Sequence, residues 1–151
     1  MKIIPFEDRL APVFGRLNRD WLDHFSLREA ADDRHLDAPR ESIIARNGQI
    51  FFAVEGDDVL GTCAAIPHGN GVFEMAKLAV APSARGKGIG RQLARAAIDY
   101  ARGAGAQKVV LESNHKLAMA LALYESMGFV HAPLPADLSY VTADVYMELA
   151  L

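Results

Sequence analysis

The chain is poor in the residues that staple or anchor a protein. It has one cysteine, Cys63, among 151 residues. No intrachain disulfide can form, and no cysteine framework points to secretion or to zinc, so no metal is expected. Cys63 lies in the apolar run Gly61-Thr62-Cys63-Ala64-Ala65-Ile66, where burial is the expectation for a free thiol. Long apolar runs are missing as well. No segment reaches the ~18 consecutive apolar residues of a membrane span. The opening stretch, Met1 to Leu10, lacks the apolar core of a signal peptide. These readings predict a cytoplasmic protein with no membrane partner. There is no excess of positive charge: 16 Lys and Arg against 19 Asp and Glu give a formal charge of -3. A nucleic-acid partner would favour a basic face, so none is expected. Internal repeats and low-complexity linkers are also lacking. Residues 1–151 therefore read as a single domain, close to the commonest size of ~100–150 residues. With 51% apolar residues, the chain can build a sizeable core, unlike a disordered polymer.

The apolar pattern gives the order of elements. Leu10, Val13, Phe14 and Leu17 recur at helical spacing, and Trp21, Leu22 and Phe25 continue that face. A polar, aspartate-rich stretch from Arg28 to Arg40 follows. Glu41–Arg46 reads as a short helix stopped by Asn47-Gly48. Ile50–Glu55 and Val59–Ile66 read as strands joined by the turn Gly56-Asp57-Asp58, a hairpin. Pro67–Gly71 reads as a second turn and Phe73–Val80 as a third strand, which completes an antiparallel meander. Ile89, Leu93, Ala94, Ala97, Ile98 and Ala101 then mark an amphipathic helix. Val109–Glu112 is a short buried strand. Lys116–Met127 is a mostly apolar helix with Ser113 and Asn114 as candidate N-caps and Gly128-Phe129 as its stop. Val141–Leu149 is a last strand. N-terminal helices, a meander, then β-α-β-α-β predict a mixed α/β sheet with helices on both sides.

The sharpest chemical signal runs from Val80 to Arg91, where a strand end meets a helix start. Backbone N–H groups are unpaired there and the helix dipole is positive. Gly86, Gly88 and Gly90 let the main chain approach an anion with no Cβ in the way. Arg85, Lys87 and Arg91 add positive charge. The combination suits a pyrophosphate. It is not a P-loop, because Lys87 is followed by Gly88 rather than Ser or Thr. It is not a dinucleotide fingerprint either. Counted from Gly86, the third glycine falls on Arg91, and a meander precedes the turn instead of β-α units.

Glu74-Met75-Ala76-Lys77-Leu78-Ala79-Val80, followed by Arg85-Gly86-Lys87-Gly88-Ile89-Gly90, closely resembles the acetyl-CoA motif of the GNAT (GCN5-related) N-acetyltransferases. Downstream, Ser113-Asn114, Leu123-Tyr124-Glu125 and Gly128-Phe129 resemble that family's second cofactor region. The resemblance covers roughly Gly48 to Val130. The first 47 residues and the tail match only in layout. It implies the acyl-CoA N-acyltransferase fold and an acyltransferase that moves acetyl from acetyl-CoA to an amine by direct attack. The implied cofactor contacts are Leu78, Ala79 and Val80 through the main chain, Arg85 to Arg91 (Arg85, Gly86, Lys87, Gly88, Ile89, Gly90, Arg91) at the pyrophosphate, and Asn114 and Tyr124. It further implies that the strand carrying Leu78 splays from Val109–Glu112 to open a cleft, and that a homodimer can form through the last strands.

Two residues carry implied catalytic roles. Tyr124 matches a tyrosine that protonates the departing thiolate. A phenol of pKa ~10 is protonated at neutral pH, while the leaving thiol resembles cysteine at ~8.5. Glu74 matches a general-base position, needed because a primary amine is protonated at neutral pH. Burial would raise it from ~4.3 toward usefulness. His68, His115 and His131 are alternative bases. A backbone N–H near Leu78 would hold the oxyanion. Cys63, in an apolar strand with no histidine beside it, is not expected to carry acyl. Acceptor recognition is expected from Trp21, His24, Phe25, Asp32, Asp33, Asp37, Tyr140 and Asp144, with the aspartates suited to a cationic small-molecule or amino-acid-like amine. The competing readings are a nucleotide-binding module and a non-catalytic acyl-CoA binder on the same fold.

Overall fold

A computed structural model describes residues 1–151. Seven strands form one mixed sheet: β1 (Lys2–Pro5), β2 (Gln49–Glu55), β3 (Asp58–Gly69), β4 (Val72–Val80), β5 (Lys108–Ser113), β6 (Val130–His131) and β7 (Val145–Ala150). Their order across the sheet is β1-β2-β3-β4-β5-β7-β6. The helices are α1 (Ala11–His24), α2 (Ala30–Asp37), the single turn α3 (Pro39–Ser42), α4 (Ile89–Gly103) and α5 (Ala118–Ser126). None is long and apolar enough to cross a membrane.

The two sheet faces bury separate cores because side chains alternate along a strand. Ala53, Cys63, Ala65, Phe73 and Met75 pack with Leu93, Ala97, Ile98 and Ala101 of α4 and with Tyr124 of α5. On the opposite face Ile50, Phe52, Ala64 and Ile66 pack with Phe14 of α1, Leu36 of α2 and Ile43. Completely buried side chains such as Leu93 and Phe52 each contribute about 1.5–3 kcal/mol relative to exposure. Helices thus cover both faces, as the pattern predicts.

Several expectations need correcting. The first residues form strand β1, antiparallel to β2. The polar stretch after Arg28 contains helix α2, whose first turn is fixed by Asp32 Oδ2 accepting the Glu29 N–H at 2.9 Å. The expected helix Glu41–Arg46 is instead α3 plus a 3-10 turn at Ile44–Arg46, and Asn47 does adopt the left-handed stop at φ 70°. Strand β3 continues through Pro67 and His68 to Gly69, so the second turn shrinks to Asn70-Gly71. Helix α5 begins at Ala118 with Leu117 at its cap position and no side-chain cap. Asn114 therefore does not cap it. The final strand begins at Val145; residues 141–144 are a loop.

Candidate active site

The site originates in a failure of pairing. Strands β4 and β5 are parallel neighbours only where Val72, Phe73 and Glu74 face Lys108, Val109 and Val110. Beyond Glu74 they diverge, and β5 continues with β7 through Ser113. The cause lies in β4. Thr62 pairs Ala79 while Ala64 pairs Ala76, so Cys63 stands opposite both Lys77 and Leu78. This is a β-bulge, and Lys77 takes the left-handed φ of 58° within it. A bulge bends its strand and ends regular pairing. The Ala81 N–H donates to Leu60 O on the β3 side at 2.8 Å. By strand alternation the main-chain groups of Val80 and Leu78 face the other way, into the gap.

The gap opens into a cleft that is continuous with solvent at its mouth. Its walls include Leu78, Glu112, Asn114, Tyr124 and Tyr140, with Trp21 and Leu22 from α1 above.

At one end of β4 lies the glycine-rich turn. Gly86 and Gly88 both hold φ 78°, and a Cβ at either would meet nothing within 4 Å. The turn is open, and its left-handed backbone is what requires glycine. The N–H groups of Gly86, Lys87 and Gly88 donate no backbone hydrogen bond. Helix α4 starts at Ile89 with no side-chain cap, which leaves its first-turn N–H groups free as well. This is a cradle of donors at a helix N-terminus, fit for a pyrophosphate. Of the expected cations, Lys87 is exposed. Arg85 lies over the Trp21 ring at 4.7 Å and donates to Val80 O at 3.3 Å. Arg91 donates to Ser126 Oγ at 2.8 Å.

Tyr124 comes from α5, its ring edge-on to Phe129 at 5.9 Å. It is buried, lines the cleft and has its pKa raised above the ordinary phenol value, by burial first and by Cys63 second. The phenol is therefore neutral at physiological pH. Burial also pushes the Cys63 thiol up to about 12, so no thiolate is available there. Asn114 is occupied locally. Its Nδ2 donates to Thr142 O at 2.8 Å, and its Oδ1 accepts the Lys116 N–H at 2.9 Å.

Glu74 is buried at 4% exposure where β4 and β5 part. Its Oε1 lies 2.7 Å from His68 Nε2, and His68, on β3, is half-exposed. The other expected bases stand elsewhere. His115 pairs with Asp144, and His131 with Glu125 at 3.0 Å; both histidines are exposed.

The α2 side of the cleft holds a charge cluster that sequence reasoning saw only in part. Lys77 Nζ, inside the cleft, pairs with Asp32 and lies over the Tyr140 ring at 4.4 Å. Asp33 and Asp37 instead pair at the surface with Arg28 and Arg19. Lys77 was the missed residue. The one signal for it was a lone lysine inside the strand Glu74-Met75-Ala76-Lys77-Leu78. The loop over this end is tied down by two carboxylates. Glu112 accepts the N–H groups of Ser139 (3.0 Å) and Tyr140 (3.1 Å). Glu29 accepts those of Val141 and Thr142, each at 2.9 Å. Burial opposes ionisation of Glu29, but its hydrogen bonds to Thr142 and Val141 outweigh it and lower the pKa.

A splayed β4–β5 pair, a bulge, and a glycine cradle at the start of α4 define a fold and site built to hold an elongated, phosphate-bearing molecule in a slot of the sheet. The chain belongs to the acetyltransferase (GNAT) family, whose model matches residues 14–129. It is 38% identical over 99 residues to streptothricin acetyltransferase of Streptomyces lavendulae, covering 64% of this chain and 52% of that protein. It is 32% identical over 101 residues to mycothiol acetyltransferase of Renibacterium salmoninarum, covering 64% of this chain and 30% of that one. The chain spans about half the length or less of the first of these curated relatives. Among solved structures, a GNAT-family acetyltransferase from Staphylococcus aureus superposes with TM-score 0.89 at 18% identity, covering 99% of this chain and 98% of that one. The Salmonella typhimurium acetyltransferase yncA, solved with its cofactor acetyl-CoA, gives TM-score 0.79 at 21% identity, covering 99% and 92%. The fold expected from the sequence is thus the fold observed.

Proposed function

We propose that this protein transfers an acetyl group from acetyl-CoA directly to a primary amine of a small-molecule or amino-acid-like acceptor. The observation that carries this reading is the divergence of β4 and β5 beyond Glu74. It leaves the main-chain groups of Leu78 and Val80 without a β5 partner between the glycine cradle and Tyr124, with Val80 O accepting from Arg85 at 3.3 Å. Acetyl-CoA is the substrate that such a slot fits. Its pyrophosphate suits the N–H groups of residues 86–91, and its amide-bearing arm suits an unpaired strand edge. The Leu78 N–H would steady the oxyanion.

In the transfer, the acceptor ammonium loses one proton towards Glu74, its nitrogen attacks the thioester carbonyl, and the second N–H proton, lost as the amide forms, passes to water. The C–N bond forms, the C–S bond breaks, and the sulfur leaves with the electron pair. Tyr124 donates a hydrogen bond to that sulfur. Because burial raises the phenol's pKa, the tyrosine stabilises the thiolate better than it surrenders its proton, and water supplies the proton that coenzyme A retains. Carboxylates dominate the acceptor side. Asp32, Glu74 and Glu112 stand against Lys77 alone, which favours an acceptor that arrives as an ammonium ion.

The test is release of free coenzyme A across a panel of amines, repeated with Tyr124→Phe. The variant should lose about tenfold or more in kcat with acetyl-CoA binding unchanged. Tight acetyl-CoA binding with no release on any amine would instead favour a non-catalytic binder. Thermal stabilisation by NAD alone would favour a nucleotide module.

A further inference from the structure

Glu74, like Glu112, lines two cavities. One is the acceptor cleft; the other is a shallow groove on the far side of the β4–β5 junction. His68 lies in that groove, with Glu112 of β5, Asp137 of the β6–β7 loop and Tyr146 of β7. A buried carboxylate beside a half-exposed imidazole at 2.7 Å links the cleft to bulk water through one hydrogen bond. We propose that His68 is a positioning residue for Glu74: its imidazole orients the buried carboxylate, and its charge governs how readily that carboxylate takes the acceptor's proton. This rests on the reading of Glu74 as proton acceptor.

The chemistry follows from two states. As imidazolium, His68 donates a charge-assisted bond from Nε2 to Glu74 Oε1, which holds the carboxylate anionic and weakens it as a base. As neutral imidazole with its hydrogen on Nε2, it still fixes the rotamer but no longer adds a positive charge. Turnover should therefore rise with pH as His68 deprotonates. Every group facing the pair bears on where that happens. The hydrogen bond to Glu74 raises the His68 pKa, burial opposes it, and Glu74, Glu112 and Asp137 raise it through their charge. On the α2 side, His35 also interacts with Glu74. Its own pKa is lowered to about 4, by burial first and Lys77 second, so it stays neutral through the same range. Tyr140, whose pKa is raised, stays neutral too.

Two readouts test this on the intact protein. The first is an NMR titration of the His68 imidazole, assigned by its absence in His68→Gln. The wild-type midpoint should lie above the ordinary ~6.5 and fall back towards it in Glu74→Gln. An unmoved midpoint would show that the two groups are uncoupled and end the proposal. The second is the pH profile of kcat/KM for two acceptor amines of different basicity. The limb that stays put when the acceptor changes belongs to the protein. In His68→Gln, whose amide keeps a neutral donor to Glu74, that limb should move to lower pH. A limb identical to wild type would overturn the proposal. Glu74→Gln separates the two readings. If it leaves the rate intact, the proton-acceptor role of Glu74 fails. If it abolishes the rate while His68→Gln changes nothing, only the role of His68 fails.

Discussion

Lys77 and Asp32 form the most exposed thermodynamic commitment of the site, because both charges are held out of water: 6% and 3% of the side-chain surface remain accessible. Removing one partner from such a pair leaves an uncompensated buried charge, at a cost of about 3–5 kcal/mol. Lys77→Met should destabilise the protein by that amount, a large share of the roughly 5–15 kcal/mol that holds a domain together. Lys77→Gly removes the same charge but also relieves the left-handed backbone at φ 58°, worth about 1–2 kcal/mol for a residue with a Cβ. Its net loss should accordingly be the smaller by that margin. Lys77→Met combined with Asp32→Asn removes both charges, and asparagine retains an oxygen for the Glu29 N–H. The double variant should be more stable than the sum of its singles by at least about 1 kcal/mol. Urea unfolding followed by the fluorescence of Trp21, the only tryptophan, measures all four variants, provided that the m-value stays constant. Additivity within about 0.5 kcal/mol, or a Lys77→Met loss below about 1 kcal/mol, would show that the pair is effectively solvated and that the cleft floor is wetter than described.

Other perturbations address the cradle, a buried histidine and the thiol. Gly88→Ala adds a Cβ into open space at φ 78°, so its stability cost is confined to the backbone, about 1–2 kcal/mol. Acetyl-CoA titration calorimetry should show an additional loss of affinity, whereas Gly103→Ala, helical and unobstructed, should show none. His35 has its pKa lowered to about 4 by burial and Lys77. The unfolded chain therefore binds the extra proton, and stability should fall as pH drops from about 6.5 towards 4. His35→Gln, which can still bond Ser42, should flatten that fall in urea midpoints. Cys63 is fully buried with its thiol near 12. It should resist thiol reagents until unfolding, and Cys63→Ala should turn over normally; a stable acetyl-cysteine would contradict direct transfer.

What the sequence reveals here follows the reach of each physical signal. The meander, α4 and the glycine turn are legible because apolar spacing and turn chemistry are local. Strand β1 is short, with only Ile3 and Ile4 half-buried, and strand β6 has two residues, both exposed; neither has room for a periodic pattern. Helix α2 carries Asp32, Asp33 and Arg34 in succession and hides its character. It is secured by Asp32, whose partners are Glu29 next door and Lys77 across the fold, and only the first of these is visible along the chain. Among site residues, the cradle glycines, Glu74 and Tyr124 could be named from motif positions. The engagement of Arg85 with Trp21 and the buried Lys77 depend on α1 and α2 folding over β4, which no local spacing encodes.

The loop above the acceptor end is fastened by Glu29 and Glu112 gripping its peptide N–H groups. A roof pinned by its main chain places few demands on which side chains it carries. Thr142 also lends its side chain to the Glu29 clasp, whereas Ala143, which lines the cleft, can be exchanged while both clasps persist. Substitution at Ala143 should therefore reshape the cleft wall with little effect on stability, so varying that one position offers a route to new amines without rebuilding the sheet beneath.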